Sequence, residues 1–154
     1  MKEVKPAEFR LESYQIKEFS LTDPASEFNV LDLRFDPSGI FREKNSAFRL
    51  KLEFSAYASK EETEQEDDFE VEEVRVISAV LFADFKFARE GGMSVDEIPE
   101  IFYSNSLGII FPYLRAFVST LTLQANVKMM LLPTLNLTNL NDKLKGNTKV
   151  VKSE

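Results

Sequence analysis

The chain has 154 residues, a length that favours a single domain. It contains 0 Cys and 0 His, which excludes disulfides, cysteine nucleophiles, histidine acid–base catalysis and zinc sites built from these ligands. Apolar residues make up 44% and charged residues 29%, as in an ordinary soluble fold. Phenylalanine is in excess, with 14 copies beside 4 tyrosines and no tryptophan.

The negative charge of the chain is concentrated in one segment. The whole chain has a net charge of −7, whereas residues 61–73 hold nine acidic residues and no basic one, so the remainder carries +2. Like charges at this density favour an exposed loop, which we expect at about residues 60–72. The loop lacks the glycine and the ligand order of a calcium-binding loop, so no metal is expected. Lysine and arginine form no stripe of the kind that nucleic acids require, so nucleic acid is not an expected partner.

No segment has the uninterrupted apolar character of a signal peptide or a membrane span. The most apolar region, residues 107–132, is interrupted by Arg115, Gln124, Asn126 and Lys128. This pattern favours a core helix followed by a further segment. We therefore expect a cytoplasmic protein without stable membrane insertion.

Alternating apolar and polar residues predict strands through the first half of the chain. Residues 8–21 are strand-like but break step between Leu11 and Tyr14, which indicates a bulge or bend. Residues 29–35 and 47–58 alternate with period two, the pattern of half-buried antiparallel strands.

Residues 74–88 predict a longer strand that is apolar on both faces from Ile77 to Phe82. Such a strand must be covered on both sides. One cover is the chain's own helix, and the other is expected to be a partner subunit.

One long helix follows the strands. From Leu107 the apolar residues recur at helical spacing as far as Leu121, with Asn105 or Ser106 as the expected cap. The polar residues 141–154 are expected to form a flexible tail. Strands segregated before a helix predict an α+β fold with an antiparallel sheet backed by that helix.

Few residues suggest catalysis. The chain has no nucleotide-binding motif and no nucleophile elbow, and Asp32 and Asp84 are expected to be outward-facing charges on strands. We therefore expect no enzyme and no cofactor. The excess of phenylalanine has two interpretations, ordinary core packing or an apolar groove that binds extended polypeptide.

Two motifs carry a family resemblance. The sequences F-P-Y-x-R at 111–115 and P-x-L-N-L at 133–137 resemble the SecB preprotein-export chaperone family, and the resemblance extends over about residues 8–140. It implies one chaperone domain, residues 1–140, with a four-stranded antiparallel sheet backed by a long helix. It also implies a dimer of dimers and an ATP-independent holdase that binds non-native polypeptides or preproteins for export.

The resemblance and the aromatic placement also imply site residues. The client-binding groove is expected at Phe19, Phe28, Leu31, Phe41 and Phe54. The oligomer interface is expected at Ala83, Phe85 and Phe87. A surface facing the SecA translocation ATPase is expected at Glu18, Phe82 and Asp84.

Departures from the family leave alternatives open. The second helix and the acidic SecA-binding tail of the family are not recognisable after Asn141, and the tail here is short and basic, so SecA docking through the tail is not expected. A partner-specific chaperone of a toxin–antitoxin system, with an antitoxin as its client, is one alternative. A small-molecule enzyme or binding domain that uses the groove is another, and a closed pocket with a carboxylate of raised pKa would favour it.

Overall fold

The computed structural model describes residues 8–61 and 72–152. These residues form five strands and two helices, with short 3-10 turns at Glu43–Asn45 and Val95–Glu97. In chain order the elements are β1 (Phe9–Leu21), β2 (Phe28–Arg42), β3 (Ala47–Lys60), β4 (Glu73–Phe87), α1 (Glu100–Gln124), α2 (Thr138–Gly146) and β5 (Thr148–Val151).

The sheet has the strand order β1-β4-β3-β2-β5. Its first four strands are antiparallel, as predicted, but β5 pairs in parallel with the end of β2. The α+β class is confirmed, whereas the sheet is mixed and five-stranded and a second helix is present.

The segment predicted to be a flexible tail supplies the additional elements. It contains most of α2 and all of β5, so this prediction is wrong. Leu144 of α2 is fully buried, and Thr148 donates a hydrogen bond to the Leu144 carbonyl at 2.7 Å. A single apolar anchor within a polar sequence is too weak a pattern to reveal a docked helix.

The alternation in β3 and β4 separates a core face from an outer face. The even positions of β3 from Phe48 to Ala58 and the odd positions of β4 from Ile77 to Phe87 are buried in the core that α1 covers. Phe54 pairs with Ala79 across the two strands. The opposite face is half-buried and mostly polar. The predicted bulge in β1 is confirmed by a register shift between Leu11 and Ser13.

The long helix begins earlier than predicted. It starts at Glu100, immediately after Pro99, and contains Pro112 in its interior. The first turn was missed because Phe102 and Tyr103, both buried, follow a loop-like sequence. By length and composition α1 would also suffice to span a membrane, a test that the core helix of a soluble protein passes as well.

The acidic segment connects two neighbouring antiparallel strands. β3 ends at Lys60 and β4 begins at Glu73, which agrees with a hairpin connection. Residues 62–71 lie outside the described residues.

Candidate functional site: an apolar groove along β2

The groove starts where the chain crosses the end of the sheet. β1 and β2 are separated by β4 and β3 in the sheet, so residues 22–27 must pass over the ends of those two strands. The Thr22 amide donates to the Val76 carbonyl at 2.8 Å, and the Phe28 amide donates to the Ala25 carbonyl at 2.9 Å. These bonds fix the two ends of the crossing segment, and a space lies beside it.

That space is a cavity of about 530 Å³, which we call the first cavity. Its walls come from the crossing segment, from Phe28 and Leu31 of β2, from Val76 of β4, and from the segment that follows α1. The volume lies within the range of protein ligand pockets, about 300–1,000 Å³. The lining is mainly apolar, so the cavity is suited to apolar side chains.

The segment after α1 is held by hydrogen bonds to the helix. Asn126 adopts a positive φ of 58°, a conformation that asparagine tolerates better than most residues, and this reverses the chain. The Met130 amide then donates to Thr122 Oγ1 at 3.0 Å, and the Met130 carbonyl accepts from Ser119 Oγ at 3.3 Å. Both backbone polar groups of Met130 are thus fixed by α1, which sets the position of this wall.

Charged groups surround Phe28 at the rim of the first cavity. Lys60 Nζ lies 5.0 Å from the centre of the Phe28 ring and forms ion pairs with Glu27 and Glu72 at 3.4 and 3.5 Å. The charges of Glu27 and Glu72 and their hydrogen bonds raise the pKa of Lys60, with the Glu27 charge as the largest cause. The Phe28 ring therefore lies beside an ion-paired lysine and also lines the first cavity.

A second cavity of about 300 Å³ lies further along the same strand. Leu33 and Phe35 of β2 line it together with Leu135 and Leu137, which precede α2, and Leu140 of α2. Leu31, Leu33 and Phe35 pair with Ala58, Ala56 and Phe54, so they share the inner face of the sheet. We call this face of β2, from Leu31 at the first cavity to Phe35 at the second, the β2 groove.

The structure brings together only part of the predicted groove. Phe28 and Leu31 line the first cavity, whereas Phe19 does not: it is exposed on β1, in edge-to-face contact with Phe117 at 5.1 Å. Phe41 and Phe54 are 0% and 1% exposed, so they belong to the core, and their placement in an open groove is corrected.

The predicted interface residues are also core residues. Ala83, Phe85 and Phe87 lie on the face of β4 that α1 covers, and each is buried within the subunit. The rings of Phe85 and Phe87 contact Phe102 of α1. Because these side chains are already enclosed, they are not available to a second subunit, and the prediction is corrected.

The predicted SecA-facing residues share the outer face of the sheet. Glu18 lies opposite Val80, two positions from Phe82 on β4, and Asp84 follows on the same face. Arg49 donates two hydrogen bonds to Asp84, at 2.9 and 3.2 Å. These bonds lower the pKa of Asp84, and they also neutralise much of its charge.

Sequence reasoning missed one wall of each cavity. Met129 is 56% exposed, and Met130 lines the first cavity beside it. The signal was present in the apolar run at 129–132, which directly follows the polar end of α1. Leu137 and Leu140 of the second cavity lie at and just after the start of α2, a helix that the sequence analysis does not predict.

Two comparisons found similar proteins, and no family model matches the chain. The chain is 34% identical over 61 residues to an uncharacterized protein, MJ0357, of Methanocaldococcus jannaschii, a match covering 40% of this chain and 37% of that protein. The fold is similar to the Mycobacterium tuberculosis Rv1957 SecB-like chaperone, solved with a ChAD peptide from the Rv1956 HigA1 antitoxin. The TM-score is 0.64 at 15% identity, over 84% of this chain and 91% of the other. The chain therefore has a SecB-like α+β fold.

Proposed function

We propose that this protein is an ATP-independent chaperone that holds unfolded polypeptides or preproteins in the β2 groove, in support of protein export. The observation that carries the proposal is the pair of apolar cavities along the inner side of one strand. Two cavities in line suit an extended chain better than a compact small molecule. The SecB-like fold gives additional support.

The binding energy would come from burial of apolar client side chains. Removing apolar surface from water contributes about 25 cal/mol per Å², before the cost of ordering the client is subtracted. Because this term has no directional requirement, specificity for any one sequence would be low. Met129 and Met130 add to this breadth, since an unbranched thioether side chain adapts to differently shaped partners.

A pair of adjacent residues on β2 provides a matched test. Leu31 lines the first cavity and is 50% exposed, whereas Val30 does not line it and is 42% exposed. Leu31→Ser should reduce suppression of aggregation when a chemically denatured protein is diluted into buffer, because an apolar contact is lost. Val30→Ser should leave suppression unchanged. Equal activity of both variants and the unmodified protein would argue against the groove.

A dedicated partner is the second candidate. The similar Rv1957 chaperone was solved with an antitoxin peptide, which favours a SecB-like protein that serves one client, such as an antitoxin. Affinity capture from the native organism separates the two candidates. One dominant partner, lost on Leu31→Ser, would favour the dedicated role, whereas many unrelated unfolded chains would favour the general holdase.

We also propose that subunits assemble, as a dimer of dimers, through the outer side of α1. Ile101, Ile109 and Tyr113 are exposed large apolar residues on this helix, and Tyr113 stacks on Tyr14 of β1 at 4.3 Å. Their spacing of eight and four residues places them along one side of the helix, and exposed apolar side chains in line favour contact with another protein surface.

A further inference from the structure

We propose that the partner segment binds as an additional strand on β2, hydrogen-bonded to the backbone of Leu31, Leu33 and Phe35. The inference rests on the proposed function and specifies how the bound chain is held. The main observation is that β5 pairs with only part of the outer edge of β2, so the rest of that edge has no neighbouring strand among the described residues.

The protein's own C-terminal segment covers one end of this edge. β5 pairs with β2 from Gly39 to Arg42. Just before β5, the Asn147 carbonyl accepts from the Gly39 amide at 3.2 Å, and its side-chain amide donates to the Pro37 carbonyl at 3.3 Å. No described strand pairs with this side of β2 before Gly39.

The directions of the uncovered backbone groups follow from these two bonds. The Gly39 amide and the Pro37 carbonyl both face away from β3. In an antiparallel ladder every second residue directs both its amide and its carbonyl away from the neighbouring strand. The β2–β3 register is continuous from Val30 to Arg42. The amides and carbonyls of Leu31, Leu33 and Phe35 therefore point to the outer edge, over a length of about 13 Å.

The same three residues place their side chains in the β2 groove. Leu31 lines the first cavity, and Leu33 and Phe35 line the second. A strand added in line with β5 would direct every second side chain towards these cavities, while the intervening side chains would face Asp32 and Arg34 on the outer side. The partner is thus an extended segment with apolar residues at alternate positions. Where it lies opposite Leu31 to Phe35, its backbone amides must be free to form hydrogen bonds.

Strand addition explains how a low-specificity groove would hold unrelated sequences. Hydrogen bonds to the main chain are available from any sequence except at proline, while the cavities select only apolar character at alternate positions. Pro37 illustrates the rule within β2, because its missing amide would have pointed to the outer edge and costs the β2–β3 ladder nothing.

Backbone methylation of a synthetic peptide tests the proposal. The probe is a peptide of about nine residues that alternates phenylalanine and serine with a lysine at each end, a length that covers the free edge. One derivative carries N-methyl groups on the phenylalanines and the other on the serines. One derivative should bind at least about tenfold more weakly than the unmodified peptide, and the other should bind nearly as well. The identity of the derivative that loses binding shows whether the added strand runs antiparallel or parallel to β2.

Amide exchange measured by NMR provides a second readout on the protein itself. Saturation with the unmodified peptide should slow exchange of the Leu31, Leu33 and Phe35 amides at least about tenfold. The amides of Asp32 and Arg34 face β3 and serve as internal controls, since they should be protected with or without peptide.

The outcomes separate this inference from the proposed function. If the protein binds denatured clients but not the peptide, or if both methylated derivatives bind equally well, edge pairing is overturned. The proposed holdase function would not be affected by either result. If neither the peptide nor denatured clients bind, the proposed function fails and the edge pairing fails with it.

Discussion

The rings of Phe85 and Phe102 lie 5.6 Å apart with their planes perpendicular, which joins the end of β4 to the first turn of α1. Phe102 also contacts Phe9, Phe48 and Phe87. This aromatic cluster at the start of α1 is where much of the unexpected phenylalanine content is located, and it belongs to the core.

Phe85→Ala should therefore destabilise the subunit by about 3–5 kcal/mol, because a buried ring is replaced by a cavity. Urea denaturation measures the change in the free energy of unfolding. Phe19→Ala is the control, since Phe19 is 54% exposed and its loss should cost less than about 1 kcal/mol. A Phe85→Ala variant of normal stability but reduced oligomer mass would instead support the original interface assignment.

Thr122→Val should loosen the wall of the first cavity. The substitution preserves shape but leaves the Met130 amide without its acceptor, at a cost of about 1–3 kcal/mol. Client affinity should fall together with stability. Thr120→Val, on the exposed side of the same helix, is the control and should leave client affinity, measured by titration with a fluorescent denatured client, unaffected.

The Arg49–Asp84 pair predicts a defined pH dependence. Because the pKa of Asp84 is lowered in the folded state, chiefly by hydrogen bonds from Arg49, the pair stabilises the fold above the unfolded-state pKa of about 3.9. The contribution is lost as the pH falls through the lower folded-state value. It should amount to less than about 1 kcal/mol, since the pair is partly exposed.

NMR titration of the Asp84 carboxyl measures this effect, and Arg49→Gln should raise its midpoint. Asp84→Asn should lower stability at neutral pH, with the difference from the unmodified protein vanishing in strong acid. A midpoint that does not respond to Arg49→Gln would contradict the assigned cause.

Leu144→Ala should destabilise the fold by about 2–5 kcal/mol, as expected for a fully buried leucine. The result would establish that the C-terminal region is part of the folded unit. Leu131→Ala, at a residue that is largely exposed, is the matched control for thermal unfolding. Equal melting temperatures for both variants would mean that α2 is not anchored by Leu144.

The proposed α1 contact is tested by two isoleucines of equal exposure. Ile109 on α1 and Ile40 on β2 are each 38% exposed. Ile109→Glu should lower the native mass measured by light scattering, because an unpaired charge would be buried at the subunit contact. Ile40→Glu should leave the mass unchanged. A monomeric unmodified protein would rule out the proposed assembly.

The sequence best predicts those elements in which the alternation of apolar and polar residues matches the alternation of buried and exposed side chains. The alternation at 47–58 identifies β3 because Phe48 to Ala58 alternate between the core and the outer face. The same alternation could not distinguish a ring at the groove from a ring in the core, because Phe28 and Phe54 both lie on the inner side of the sheet. Only the position of the covering helix decides which ring is enclosed.

Elements that depend on tertiary contacts were not predictable. β5 has four residues and no distinctive pattern, and it is specified by the edge of β2 that it completes. The wall at Met130 depends on hydrogen bonds to Thr122 and Ser119, which lie 8 and 11 residues earlier in the chain and carry no visible motif.

The attachment of Met130 through its main chain has a consequence for engineering. Met129 is 56% exposed and takes no part in the bonds that position the wall, so residue 129 can be exchanged for larger, smaller or aromatic types without displacing the loop. The Met130 side chain, by contrast, packs against the core and should be kept. A library randomised at codon 129 would therefore vary which anchor residues are preferred while conserving the scaffold, and would offer a route to custom binders.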